Sequence, residues 1–109
     1  MGFSYNFERM IPKIIKNSRR KIVEICQKYQ ISELSLFGSQ VRGDFSAKSD
    51  FDFLVVFEPE ARIGFITLGK IQDELETVVR NKVDLVPKDG LKPIIKNSVL
   101  SEAEIIYAR

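Results

Sequence analysis

A chain of 109 residues supplies one hydrophobic core and not two, because compact domains usually run to ~100 to 150 residues, and its 44% hydrophobic and 29% charged residues are those of a globular protein. Seventeen Lys and Arg against 15 Asp and Glu leave a net charge of +2, too small to make nucleic acid or a membrane surface the expected partner, so an anionic ligand has to be recognised locally. With no histidine and one cysteine, Cys26, the chain can build no internal disulfide, no zinc site of the usual cysteine and histidine sets, no Ser-His-Asp triad and no imidazole base. Catalysis is left to carboxylates, Lys, Arg, Tyr, Ser or a metal held by oxygen.

One domain over residues 1–109 is expected. Met1 to Met10 carries no continuous apolar run and no stretch approaches the ~18 apolar residues of a membrane span, so the expectation is a soluble cytoplasmic protein with no membrane contact. Phe3, Tyr5 and Phe7 alternate as in a strand, yet a flexible arm over residues 1–9 or a patch for a partner fits them equally. From Met10 to Tyr29 the spacing of Ile11, Ile14, Ile15, Ile22, Ile25, Cys26 and Tyr29 predicts an amphipathic helix with Pro12 in its first turn. Its other face carries Lys13, Lys16, Arg19, Arg20, Lys21 and Lys28. That stripe could grip RNA, but no stacking aromatics interleave with it, and a solvated helix face is the more usual meaning.

Glu33 to Phe37 reads as a short strand ended by Gly38, Ser39 and Gly43, which mark a turn. Phe51 to Phe57 is the strongest strand, apolar on both faces beyond Asp52 and so expected near the centre of a sheet; Pro59 stops it. Ile71, Leu75, Val78 and Val79 fall on one face of a second helix, with Asn81 as its left-handed C-terminal cap. Lys82 to Val86 is a third strand closed by Pro87. Asp89 and Gly90 make a turn, Leu91 to Val99 a short helix with Pro93 in its first turn, and Glu104 to Tyr107 a last strand. Helices alternate with strands, so the fold class is α/β or α+β, a small mixed sheet flanked by helices.

Chemistry concentrates between Phe37 and Asp52. Side chains alternate along a strand, so Asp50 and Asp52 project to one side and Phe51 and Phe53 to the other. Two carboxylates side by side at the end of an apolar strand are unfavourable without a cation, and oxygen ligands alone suit Mg2+ or Mn2+. Asp84, between Val83 and Leu85, comes within reach if the third strand neighbours the second. Gly38 lets backbone N–H groups approach an anion, the Ser39 hydroxyl can add a hydrogen bond, and Arg42 can reach the same anion with its planar fork. Taken singly, a Gly-Ser pair is most often a turn, Asp-x-Asp a loop or cap, and Arg42-Gly43-Asp44 a turn. Together and in this order they describe a two-metal nucleotidyl-transfer site.

Gly38-Ser39, ten residues, then Asp50-x-Asp52 is the motif of the DNA polymerase beta-like nucleotidyltransferase superfamily. With Leu36-Phe37, Arg42-Gly43, Ser49 and Val83-Asp84-Leu85-Val86, the chain resembles its short branch, the minimal nucleotidyltransferases, from about Ile22 to Tyr107 when the terminal Leu91-Lys92-Pro93 and Ser101-Glu102-Ala103 region is included. The resemblance implies the nucleotidyltransferase fold, with Asp50, Asp52 and Asp84 holding two Mg2+ ions and Asp84 orienting or deprotonating the acceptor hydroxyl. It also implies that Gly38 and Ser39 bind the triphosphate of ATP, with Arg42 near the phosphates; Lys48 is given no role. Members of the branch are commonly paired with a HEPN-domain toxin, onto whose tyrosine similar antitoxins transfer AMP, so a hetero-oligomer with such a toxin is expected. A small hydroxylated acceptor such as an aminoglycoside, and a non-catalytic antitoxin acting by binding alone, are the alternatives.

Overall fold

The computed structural model describes residues 11–43 and 49–109, so the aromatic positions Phe3, Tyr5 and Phe7 and the segment that includes Asp44 and Lys48 lie outside the described residues. The helix expected from Met10 to Tyr29 forms in two pieces, α1 (Lys13–Asn17) and α2 (Arg19–Lys28). Ser18, at φ −107° and ψ 12°, kinks the chain between them, while its N–H still donates to the Ile14 carbonyl at 3.0 Å and its own carbonyl accepts from Ile22 at 3.0 Å. Asn17 and Ser18 are weak helix residues, with side chains that compete for backbone groups. Pro12 stands just before the first turn rather than in it, and its carbonyl accepts from the Ile15 and Lys16 N–H groups.

β1 (Ile31–Phe37) follows, then a single turn α3 (Ser39–Arg42) where only a turn was expected. Gly38 and Gly43 bracket it, both at positive φ, +81° and +85°. β2 (Phe51–Phe57) occupies the expected residues, and α4 (Phe65–Val79) buries Ile71, Leu75 and Val79 at helical spacing. The left-handed cap of α4 is Arg80, at φ 58° and ψ 40°, and not Asn81. β3 (Val83–Pro87), a 3-10 turn at Lys88–Gly90, α5 (Pro93–Glu102) and β4 (Glu104–Ala108) complete the chain. None of these helices is long and apolar enough to cross a membrane.

The strands form one mixed sheet in the order β3-β2-β1-β4; β2 and β3 are parallel, and β1 runs antiparallel to both β2 and β4. The class is therefore α+β, and β2 is interior as its apolar sequence requires. On one face Leu34, Leu36, Phe53, Val55, Leu85 and Ile106 pack with Ile22, Cys26, Ile71 and Leu75 of α2 and α4 in a continuous cluster of eighteen buried residues. On the other face a smaller cluster of Leu54, Leu91 and Val99 is bordered by Phe37 and Val86. Each fully buried aliphatic or aromatic side chain contributes roughly 1.5 to 3 kcal/mol, so the α2 and α4 face supplies most of the cohesion. The α5 face carries the thinner layer, and there the polar site is placed.

Across the top of the main cluster Lys28 pairs with Glu74 at 3.1 Å, and the Tyr29 hydroxyl donates to the same carboxylate. Lys13, Lys16, Arg19, Arg20 and Lys21 are exposed, as a solvated helix face requires.

Candidate active site

Strand register assembles the site. Phe37, the last residue of β1, lies opposite Asp52, and Asp52 lies beside Asp84 in the parallel β2 and β3 pair. Register partners in adjacent strands point to the same face, so both carboxylates leave the sheet on the side where Val99 of α5 packs with Leu54. Phe51 and Phe53 go to the opposite face, where both are buried and their rings stack at 6.4 Å between centroids. Asp50 sits two residues before Asp52, exposed, on the coil that enters β2.

That entry is clamped. The Ser49 carbonyl accepts from the Gln40 side-chain amide at 3.1 Å and from the Asn81 side-chain amide at 3.0 Å, while Phe51 N–H donates to the Lys82 carbonyl at 2.9 Å. Gln40 is 4% exposed, and such a buried amide is retained only where it is hydrogen-bonded. Asn81, freed from the capping role by Arg80, thus ties the end of α4 to the residue before Asp50. Glu76 adds a second tie, accepting the Val83 N–H at 3.0 Å at the start of β3. Nothing in the local sequence of Gln40, Asn81 or Glu76 signals these roles, because each partner lies on another element.

Gly38 is held between two carboxylates. Its backbone, at φ 81° and ψ −157°, occupies a region essentially restricted to glycine, and a Cβ there would stand 2.3 Å from Asp52 Oδ2. Its N–H donates to Glu102 Oε2 at 2.7 Å, the short distance of a charge-assisted bond. Arg42 Nη1 approaches the same oxygen at 3.2 Å. Ser39 follows Gly38 directly and opens α3, its carbonyl accepting from Gly43 N–H at 3.0 Å. Gly38, Ser39, Arg42, Asp52 and Asp84 are therefore gathered at one end of the sheet, and Asp50 stands at its rim. Glu102, the last residue of α5, is the participant whose role residue-type reasoning missed; it stands in the Ser101-Glu102-Ala103 end of the family likeness, but the fold alone brings it to Gly38, 64 positions away.

The charges sense one another. Burial raises the Asp52 carboxyl above the ordinary aspartate range; the charges of Asp84, Asp50 and Glu102 push the same way, and Arg42 opposes them. Among the described residues no three acidic or thiol side chains stand close enough together to hold an ion as they are oriented. The donors nonetheless fit a divalent cation: all are carboxylate oxygens, and a partly buried one is disfavoured in its charged form by its neighbours. A hard cation at this end of the sheet would relieve that cost.

The family model of the nucleotidyltransferase domain matches residues 9–106. The protein adenylyltransferase MntA of Thermococcus cleftensis is 39% identical over 85 residues, which are 77% of this chain and 81% of that one. A chain of a crystallised toxin-antitoxin with AMP-PNP superposes with a TM-score of 0.69 at 19% identity, covering 84% of this chain and 73% of that one. A chain of the tri-AMPylated Shewanella oneidensis HEPN toxin in complex with MNT antitoxin gives 0.63 at 16% identity, covering 87% and 73%. At such identities the two structures establish a shared fold.

Proposed function

Because the chain belongs to the nucleotidyltransferase domain family, we propose that this nucleotidyltransferase moves AMP from ATP to a tyrosine hydroxyl of a HEPN-domain toxin and acts as that toxin's antitoxin. The observation that carries the reading is the register of Asp52 beside Asp84 with Gly38 against Asp52. The adenylyltransferase name of the Thermococcus relative supports the reaction, and the complexes that share the fold support the partner.

Asp50, Asp52 and Asp84 would hold Mg2+, two ions in this reading, with Mn2+ chemically equivalent. Bound there, the metal supplies neutralisation of phosphate charge and a more nucleophilic acceptor oxygen. The Gly38 amide, the Ser39 hydroxyl and Arg42 hold the triphosphate by charge-assisted hydrogen bonds. Asp84 takes the proton of the acceptor hydroxyl as its oxygen bonds to the α-phosphorus, and the bond to the pyrophosphate oxygen breaks. A chain this small has little surface to enclose a base and an acceptor together, so the docked toxin supplies the remaining wall and the orientation.

Co-expression with the HEPN protein, followed by intact-mass measurement of that partner, tests this. Wild type should add one or more AMP groups to the partner, and Asp50→Asn/Asp52→Asn should add none. A partner left unmodified yet neutralised equally by both would leave binding alone as the antitoxin mechanism. Label on an aminoglycoside instead would reassign the acceptor.

A further inference from the structure

Glu102 sits on the two donors that the proposed reading gives to the nucleotide. Its Oε2 accepts the Gly38 N–H at 2.7 Å and stands 3.2 Å from Arg42 Nη1. Backbone N–H groups and guanidinium forks recognise carboxylate and phosphate by the same geometry and the same charge, so one oxygen in this place excludes another. Gly38 in turn stands against Asp52, where a Cβ would meet Oδ2 at 2.3 Å, so Glu102 sits at the acidic end of the sheet.

We propose that Glu102 is an internal competitor for the nucleotide phosphates: its carboxylate holds the Gly38 amide and Arg42, and a triphosphate that takes those donors must displace it. The inference rests on the nucleotide seat argued above and adds to it a residue that sets affinity. Displacement is physically easy. The Arg42 and Glu102 side chains keep 50% and 24% of their surface in water, a setting in which an ion pair is weak, whereas a triphosphate brings several charges to the same donors. Glu102 is also the last residue of α5, so its side chain can leave without breaking the helix behind it. While it stays, the seat keeps its shape, because Gly38 and Arg42 have an anion to organise around. The cost is a lower affinity for free nucleotide.

Calorimetric titration of the full chain with AMP-PNP and Mg2+ tests this, comparing wild type with Glu102→Gln, Glu102→Ala and Asp50→Asn/Asp52→Asn. Glutamine preserves shape and the acceptor for Gly38 while removing the charge that competes with phosphate. Release of an exposed ion pair predicts affinity about fivefold higher in Glu102→Gln, and also higher in Glu102→Ala. Thermal melting of each variant shows that it is folded. Affinity unchanged or weakened in a folded Glu102→Gln overturns the proposal and makes Glu102 a residue that merely positions Arg42. Wild-type binding no tighter than that of Asp50→Asn/Asp52→Asn would instead show the seat itself to be misplaced, and the proposal would fall with it.

Discussion

At Gly38 the backbone and two side chains compete for one small space. Its N–H is turned to Glu102, and a Cβ on it would stand 2.3 Å from Asp52 Oδ2, both consequences of φ 81° and ψ −157°. Gly38→Ala would enter a glycine-only region, costing about 1 to 3 kcal/mol, and would push the Asp52 carboxylate aside. Chemical denaturation should show that loss of stability, and AMP transfer should fall further than stability does. Asp52 makes a second prediction with a definite sign. Its folded-state carboxyl is raised, by burial first and by Asp84 and Asp50 next, so the folded chain binds this proton more readily than the unfolded chain does. Stability then falls as pH rises from the unfolded value through the raised one, and the penalty is fully present above it. In EDTA, Asp52→Asn should therefore melt a few degrees above wild type at neutral pH, and the difference should close as acid protonates Asp52. A variant that melts lower at neutral pH would mean that the ionised carboxylate is stabilising and the crowding of charge misread. The acidic residues were legible in the sequence because strand alternation and a fixed spacing announce them. The role of Glu102 was not, since its contact with Gly38 exists only once the fold brings the end of α5 to the end of β1.

Among the elements, α4 shows what a sequence can and cannot convey. The spacing of Ile71, Leu75 and Val79 marks its buried face because the helical interval is repeated, whereas the choice between Arg80 and Asn81 as its left-handed cap turns on a single residue. Asn81 is the better intrinsic cap, but its side chain is taken by Ser49, and tertiary demand prevails over propensity. The kink at Ser18 and the single turn of α3 were hidden for a related reason: each is shorter than one hydrophobic repeat. β2 was readable from end to end, since its run of apolar residues can sit only where neighbours cover both faces. Leu75 is completely buried in the cluster that joins α2, α4 and the sheet. Leu75→Ala should accordingly cost about 2 to 5 kcal/mol in urea denaturation. A loss well below 1 kcal/mol would mean that α4 packs loosely and that the sheet is held mainly from the α5 face.

For the molecule as a whole, the question is whether the acidic end of the sheet and the α2 and α4 face open together. Cys26 can report on this. It is fully buried on α2 within the main cluster, and burial pushes its thiol up to about 12, so in the folded state it is neither exposed nor a thiolate at neutral pH. A thiol reagent should therefore label it only after the surrounding structure opens. The same cluster contains Phe51 and Phe53, the residues on either side of Asp52, so α2 and β2 share one core. If that core opens as one unit, a nucleotide bound at Asp52 and Gly38 must be released before Cys26 is exposed. The population of open molecules then falls by the factor 1 + [L]/Kd, about a hundredfold at a hundred times Kd. In the regime where closing outpaces labelling, AMP-PNP with Mg2+ should slow Cys26 labelling by that factor, and Asp50→Asn/Asp52→Asn should show no slowing at the same nucleotide concentration. Labelling that proceeds at one rate with and without saturating nucleotide would show that α2 detaches while the site stays intact. Cohesion on the helical face would then be independent of nucleotide binding on the other.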